Sequence, residues 1–303
     1  MSEVALAVDI GGTKILVGLV AADGTILRSE QAATPAREGP DAIIATVVAL
    51  AEKLRRADVT RCGVGTAGVV GEDGEITSAT DHLSRWAGTP LRRRLAEALG
   101  LPVTVLNDVQ AVGLCEALLG AARGHRSALM LALGTGVGGA IARNGVVERG
   151  AHGIAGSVGH HLSPVRRGRR CPCGGVDHLE AYASGTAMQE AYRERTGHAL
   201  GLREIAVLAQ ADDADARAVI AEAAEVLGAV IGSANNVIDA EIVVVGGGVL
   251  ALGDMLLAPA RDAAKREALG ASRTVQIVPA RYGPTACLIG AGLAALQSGP
   301  AGG

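Results

Sequence analysis

The chain opens with apolar runs that are too short and too closely spaced to be helices. Residues 4–9 alternate into a short strand, Gly11-Gly12-Thr13 turns it, and 15–20 reads as the returning strand. Ala22-Asp23-Gly24 is a second turn signal, so 25–31 pairs as a third strand. A glycine turn followed by strand makes a hairpin, not a strand–helix–strand unit. The period then changes. Over 40–56, Ile43, Val47, Leu50 and Leu54 fall on one side of a helix, flanked by Ile44 and Val48. A strand is predicted at 62–65 and a helix at 90–99 that stops at Gly100. Residues 103–106 form a strand running into Asn107-Asp108, and 109–119 a helix with Asp108 as its N-cap.

The second half repeats the plan. Residues 128–133 are a strand, 134–139 a glycine turn, and 140–143 the returning strand. Residues 150–180 form a loop-rich insert holding cysteines and histidines. Helices are predicted at 184–196 and 215–239, a strand at 242–245 before Gly246-Gly247-Gly248, and a final helix at 288–296. The pattern is a duplication of topology, not a short repeat. It predicts two α/β lobes with a cleft between them. Residues 1–118 make the smaller domain, rejoined by the last helix at 288–297. Residues 119–287 make the larger one, carrying the 150–180 insert, and 298–303 read as a disordered tail.

Length and composition sharpen this picture. The 303 residues exceed the usual single-core size. There is no Phe, one Trp and three Tyr, so Ala, Val, Leu and Ile must fill the core. The formal net charge of −3, with mixed signs, gives no reason to expect nucleic acid or membrane as a partner. Arg166, Arg167, Arg169 and Arg170 are the one basic run, either a solvated loop or a rim that attracts an anionic nucleotide. The first residues lack a signal-peptide pattern, and no uninterrupted apolar run is long enough for a membrane span. A cytoplasmic protein is expected, with its C-x-C pair used for metal and not for disulfides.

Two turns suit phosphate. In Asp9-Ile10-Gly11-Gly12-Thr13-Lys14 the glycines let backbone N–H groups approach phosphate oxygens, and Thr13 adds a hydroxyl. Asp9 can hold hydrated Mg²⁺. Gly134-Thr135-Gly136-Val137-Gly138-Gly139 is the matching turn. It also fits a dinucleotide fingerprint, but that reading needs a helix immediately afterwards, and apolar strand follows instead. Gly247 and Gly248 after the 242–245 strand suit close approach to a nucleotide, or simply a packing turn. Asn107-Asp108 ends a strand, where open α/β sheets bind ligands. Asp108 is the candidate base for a hydroxyl proton, and Asn107 can bond ring hydroxyls.

Together these segments resemble the ROK family of kinases, repressors and uncharacterised reading frames. Asp9–Thr13 matches its D-x-G-x-T motif, Gly134–Gly139 its G-T-G-x-G-G, and Asn107-Asp108 its catalytic pair. Residues 150–180 track its G…A-G-E-x-G-H…C-x-C-G-x-x-G-C-x-E signature. The resemblance implies an actin-like, ribonuclease-H-like duplicated two-domain ATPase fold with an interdomain cleft, forming a homodimer or homotetramer. It implies ATP with Mg²⁺, and phosphoryl transfer to the 6-hydroxyl of a hexose. It also implies that Gly65, Asn107, Asp108, His160 and Glu180 line the sugar, and that His160 with the cysteines holds structural Zn²⁺.

Two positions depart from the signature. Ser157 stands where E-x-G-H has its Glu, which in the family helps grip the sugar hydroxyls. His82-Leu83 stands where Asn-Leu is frequent. A pocket without that charged acceptor should favour a modified sugar, such as kanosamine (3-amino-3-deoxyglucose) or a 2-acylamino hexose, over glucose. A plain glucokinase is the alternative. The metal motif also changes: Asp177-His178 replaces Gly-Cys, leaving Cys171, Cys173, His178 and His160 as a tetrahedral zinc set. The family's repressors carry an N-terminal DNA-binding domain. Here the first phosphate motif begins by residue 9, so a sugar-responsive regulator is a remote alternative.

Overall fold

Alternating apolar residues build the first hairpin of the computed structural model, which describes residues 3–80 and 82–298. Strands β1 (Val4–Ile10) and β2 (Lys14–Ala21) pair antiparallel from Val4↔Ala21 to Ile10↔Ile15. β3 (Ile26–Ala33) extends β2, with its outer face mostly exposed. On the other side of β1, strands β4 (Cys62–Thr66) and β7 (Val103–Asn107) add in parallel. Between them in the chain lie α1 (Pro40–Glu52), the small hairpin β5 (Val69–Val70) and β6 (Ile76–Ser78), and α2 (Leu91–Leu99). The sheet order is β3-β2-β1-β4-β7. After β7 comes α3 (Asp108–Leu118).

The second sheet repeats the first. β8 (Ser127–Leu133) and β9 (Val137–Arg143) form an antiparallel hairpin, and β10 (Val146–Glu148) follows at its edge. α4 (Glu180–Ala183), α5 (Gly185–Thr196), α6 (Leu202–Gln210) and α7 (Ala214–Ile238) precede β11 (Ile242–Gly246). α8 (Asp254–Glu267), β12 (Gln276–Pro279) and α9 (Ala286–Gln297) complete the chain. β11 and β12 add in parallel, giving the order β10-β9-β8-β11-β12. Position for position this is the first sheet again: edge strand, returning strand, opening strand, then two parallel strands.

The chain divides into two compact units. The described residues of the first fall within Met1–Gly124, Gly145–Ala155 and Arg281–Gly303, and those of the second within His125–Asn144 and Gly156–Ala280. The final helix packs on β1, β2, β4 and α3 of the first unit. Residues 119–124, 145–155 and 281–287 also lie with that unit, outside the 1–118 and 288–297 spans read from sequence.

Both cores are aliphatic, with Trp86, Tyr182 and Tyr192 the large exceptions. Without aromatic bulk, helices close on small residues. A Cβ on Gly228 or Gly232 of α7 would meet the Ala260 or Ala264 carbonyl of α8. α7 is long and apolar enough to cross a membrane on length and composition, but 72% of its apolar window is buried inside the structure. Its apolar residues belong to the core of the second unit.

The structure corrects several boundaries. The first helix ends at Glu52 instead of residue 56. Residues 137–139, read as turn, already belong to β9, because Leu133 pairs directly with Val137. Ser298 is ordered, its hydroxyl 2.9 Å from that of Thr104. The rest of the predicted disordered tail, 299–303, lies outside the described residues.

Candidate active site and metal centre

Three parallel strands bring the first group of residues together. Register places Asp9 of β1 beside Gly65 of β4, and Gly65 beside Leu106 of β7. The C-terminal ends of all three therefore share one edge, where Asn107 and Asp108 follow. Burial pushes the Asp108 carboxyl up to about 6, against the pull of the Val109 N–H, and the negative charge of Asp9 adds to the rise. Burial also raises Asp9, while the Cys287 thiol and the Lys14 ammonium pull it down. Two carboxyls whose burial raises their proton affinity, with the charge of Asp9 adding to the rise at Asp108, make a site that favours a cation or a proton.

The cap differs from expectation. Asn107, not Asp108, is the N-cap of α3. Its Oδ1 accepts from Val109 N at 2.9 Å and Gln110 N at 3.3 Å, and Gln110 Oε1 accepts from Asn107 N, closing a capping box. Asn107 Nδ2 donates to Gly68 O at 3.0 Å. The Asn107 side chain is thus largely committed to the fold, and it also hydrogen-bonds the neighbouring Asp108 carboxyl. Asp108 becomes the first helical residue, with its Oδ1 2.9 Å from Val109 N.

The first glycine turn projects from the same edge. Gly12, Thr13 and Lys14 are exposed, and Gly11 is half-buried. Gly11 N donates to Lys14 O at 3.0 Å, and the Thr34 hydroxyl donates to Gly11 O at 2.7 Å. The turn is therefore fixed while its tip stays open. The missing Cβ of Gly65 makes room for the Cys287 sulfur and Ala111. Cys287 thus lies against the site. Burial, followed by the charges of Asp9 and Asp108, holds its thiol well above the ordinary range. Only its sequence distance from the other motifs hid it.

In the second unit the matching turn spans Gly134, Thr135 and Gly136. Gly134 N donates to Gly136 O at 2.9 Å, and Gly185 N at the start of α5 donates to Gly134 O at 2.8 Å. Thr135 is exposed, and Gly138 lies on β9. Gly247, at φ 94°, sits directly against the Leu133 backbone, where any Cβ would collide. Gly248 opens a short 3₁₀ turn that meets nothing at its Cβ position. Glu180 binds the turn itself: its Oε2 accepts from Val137 N at 2.7 Å and blocks any side chain at Gly136.

The same unit gathers the metal-ligand candidates. Donor atoms of His160, Cys171, Cys173 and His178 all lie within 4.8 Å of one another. Cys171 Sγ is 3.6 Å from His160 Nδ1, and Cys173 Sγ is 3.2 Å from His178 Nδ1. Two sulfurs and two imidazole nitrogens at these separations fit the edges of a tetrahedral zinc site, given metal bonds of roughly 2.0–2.3 Å. Burial pushes the Cys171 thiol up to about 12, a proton that a metal would displace. Ser157 is exposed and precedes the 3₁₀ turn of Val158–His160. His82 is exposed, its Cβ 3.8 Å from where a Cβ on Gly12 would stand.

A family model described as the ROK family matches residues 5–298. The chain belongs to the ROK family. This ROK chain is 30% identical over 315 residues to a glucokinase of Streptomyces coelicolor, covering 97% of this chain and 98% of that protein. It is 33% identical over 294 residues to an N-acetylmannosamine kinase of Escherichia coli, covering 96% and 97%. Among solved structures, a ROK family glucokinase from Streptomyces griseus in complex with glucose and AMPPNP matches with a TM-score of 0.82 and 31% identity, over 97% of this chain and all of that one. The two repeated five-stranded sheets are the actin-like two-domain fold of these ROK kinases.

Proposed function

We propose that this ATP-dependent ROK sugar kinase transfers the γ-phosphoryl group to the 6-hydroxyl of an amino-hexose, with kanosamine or a 2-acylamino hexose as the candidates. The observation carrying the chemistry is the carboxylate pair Asp9 and Asp108 at one sheet edge, with Asp108 titrating near 6. Asp108 accepts the hydroxyl proton as general base. Gly11, Gly12, Thr13 and Lys14 cradle phosphate at the first turn, as Gly134, Thr135 and Gly136 do at the second. Gly247 and Gly248 approach the adenosine. Gly65, Asn107, Ser157, His160 and Glu180 serve the sugar. Hard oxygen ligands suit Mg²⁺, so Asp9 would hold it, and the ion would supply neutralisation of charge on the phosphates. Cys171, Cys173, His160 and His178 would hold structural Zn²⁺, which would fix one His160 nitrogen and leave the other for the sugar. The protein works in the cytoplasm as a homodimer or homotetramer.

The sugar assignment rests on Ser157. It is exposed and uncharged where the family motif places an acid, and an N-acetylmannosamine kinase is among the relatives. The second reading, a plain glucokinase, is favoured by the glucokinase relatives. A phosphorylation panel of glucose, glucosamine, kanosamine, N-acetylglucosamine and N-acetylmannosamine separates the two. The proposal expects an amino sugar to have the highest kcat/KM. Glucose ranking first would replace it with the glucokinase reading.

A further inference from the structure

Asp177 sits between two of the metal-ligand candidates without being one. Its backbone takes φ 56°, a left-handed conformation in which glycine is relaxed and Asp is tolerated. The residue is nevertheless buried, at 6% exposure. Its carboxylate accepts four hydrogen bonds. Arg167 N and Arg169 N donate to Oδ1 at 3.2 and 2.9 Å, Gly168 N donates to Oδ2 at 3.1 Å, and the Tyr182 hydroxyl donates to Oδ1 at 2.5 Å. Its backbone bridges two neighbouring segments, with Ser163 N donating to Asp177 O and Asp177 N donating to Arg169 O, both at 2.8 Å.

A second set of contacts fastens the same loop to the long helix α7. Arg167 and Arg169 both reach Glu222, at 2.9 and 3.4 Å, and the Arg169 guanidinium lies 4.7 Å from the Tyr182 ring centre. Isolated bridges pair Leu162 with His178 and Arg170 with Val176. None of these contacts uses a sulfur or imidazole. The segment from 160 to 182 is therefore tied down by groups that no metal touches. Two members of the arginine run, Arg167 and Arg169, thus have structural partners.

We propose that Asp177 is a positioning residue that preassembles the metal hairpin. It holds His160, Cys171, Cys173 and His178 near their binding geometry before any ion arrives. Three backbone N–H groups converging on one ionised carboxylate form charge-assisted bonds, stronger than neutral ones. Metal would then enter a formed site and leave it without unfolding the loop. His160 and Glu180 would keep their places when metal is scarce. The idea rests on the metal reading of these four ligands.

Trypsin tests it, because Arg166, Arg167, Arg169 and Arg170 lie inside the fastened loop. Cleavage there is timed by mass spectrometry on the full chain, zinc-loaded and after chelation. Metal-free parent is expected to be cut within about twofold of the zinc-loaded rate. Metal-free Asp177→Gly is expected to be cut at least about tenfold faster, and Asp177→Asn to fall between them, as its oxygen retains part of the clamp. A purely conformational role predicts the opposite order, since glycine is the relaxed residue at this φ. The same variants provide a second readout: metal-free Asp177→Gly should raise the KM for the best sugar of the panel about fivefold or more, with the KM for ATP and kcat within twofold. Equal cleavage of metal-free parent and metal-free Asp177→Gly overturns the proposal. Zinc content of the parent is measured in parallel, so loss of the metal reading is seen separately from loss of the clamp.

Discussion

At the scale of single residues, Asp108 joins function to instability. Its carboxyl titrates near 6 in the fold, against 3.8 for a free side chain. The native state therefore binds the extra proton between those values. The stabilisation this gives is complete below 3.8 and is lost as pH rises through about 6. At neutral pH a charged Asp108 is a net cost. Asp108→Asn should therefore do two things together. It should lower kcat by about a hundredfold to ten-thousandfold, the usual value of a positioned base. It should also raise Tm near neutral pH by a few degrees, at roughly 1.5–2 °C per kcal/mol for a chain this long, with the gain vanishing below pH 4. A variant with lower Tm at neutral pH would show that the carboxylate is stabilised in the fold. For the parent enzyme, kcat/KM should fall about tenfold per pH unit well below 6, as the base takes up its proton. A flat profile from pH 5 to 7 would remove Asp108 from that role. The pair Asn107-Asp108 was legible in the sequence because it ends a strand. The division of labour within it was not. Either side chain can cap a helix, and only the backbone angles decide that Asn107 caps and Asp108 becomes the first helical residue.

At the scale of elements, periodicity revealed what chain-local forces decide. Both glycine hairpins were readable, because two apolar strands flanking a glycine turn have few other solutions. So was α7, whose 25 residues begin with one apolar stripe and are buried all round from Val226 to Gly232. The β5–β6 hairpin was not, since its strands are two and three residues long and depend on their neighbours for shape. α6, α8 and β12 also went unassigned: α8 carries Pro259 inside it, and β12 is four residues long. The glycines of α7 carry no signal of their role in the sequence. In the fold they are contact points, because a Cβ at Gly228 would strike the Ala260 carbonyl and the Ala263 methyl. Gly228→Ala is expected to destabilise by about 1–3 kcal/mol through overpacking, despite the better helix propensity of alanine. Chemical denaturation measures this. A neutral or stabilising result would mean that α8 moves aside without cost. Asn107→Ala belongs to the same scale, and loss of the capping box should cost about 1–2 kcal/mol.

For the whole molecule, the duplicated sheet and the kinase relatives give the class of reaction, and in the proposed reading the choice of sugar turns on a few side chains that the fold leaves exposed. Ser157 is the sharpest of them. Its chain position is set by the 3₁₀ turn Val158–His160 that follows it, and its side chain is exposed and makes no capping hydrogen bond. Ser157→Glu should therefore fold normally and add one charged acceptor for sugar hydroxyls. A hydrogen bond to a charged group is worth about 1.5–3 kcal/mol, which corresponds to roughly tenfold to a hundredfold in kcat/KM. The gain should go to glucose, whose hydroxyls can all donate. Sugars with an acylated nitrogen at C2 should gain nothing or lose by crowding. The ratio of kcat/KM for glucose over N-acetylmannosamine should rise by at least about tenfold, with KM for ATP unchanged because the phosphate turns are untouched. A ratio that does not move would mean that Ser157 faces no sugar hydroxyl. The amino-sugar assignment would then lose its only support in this chain's own residues, whatever the panel ranks first.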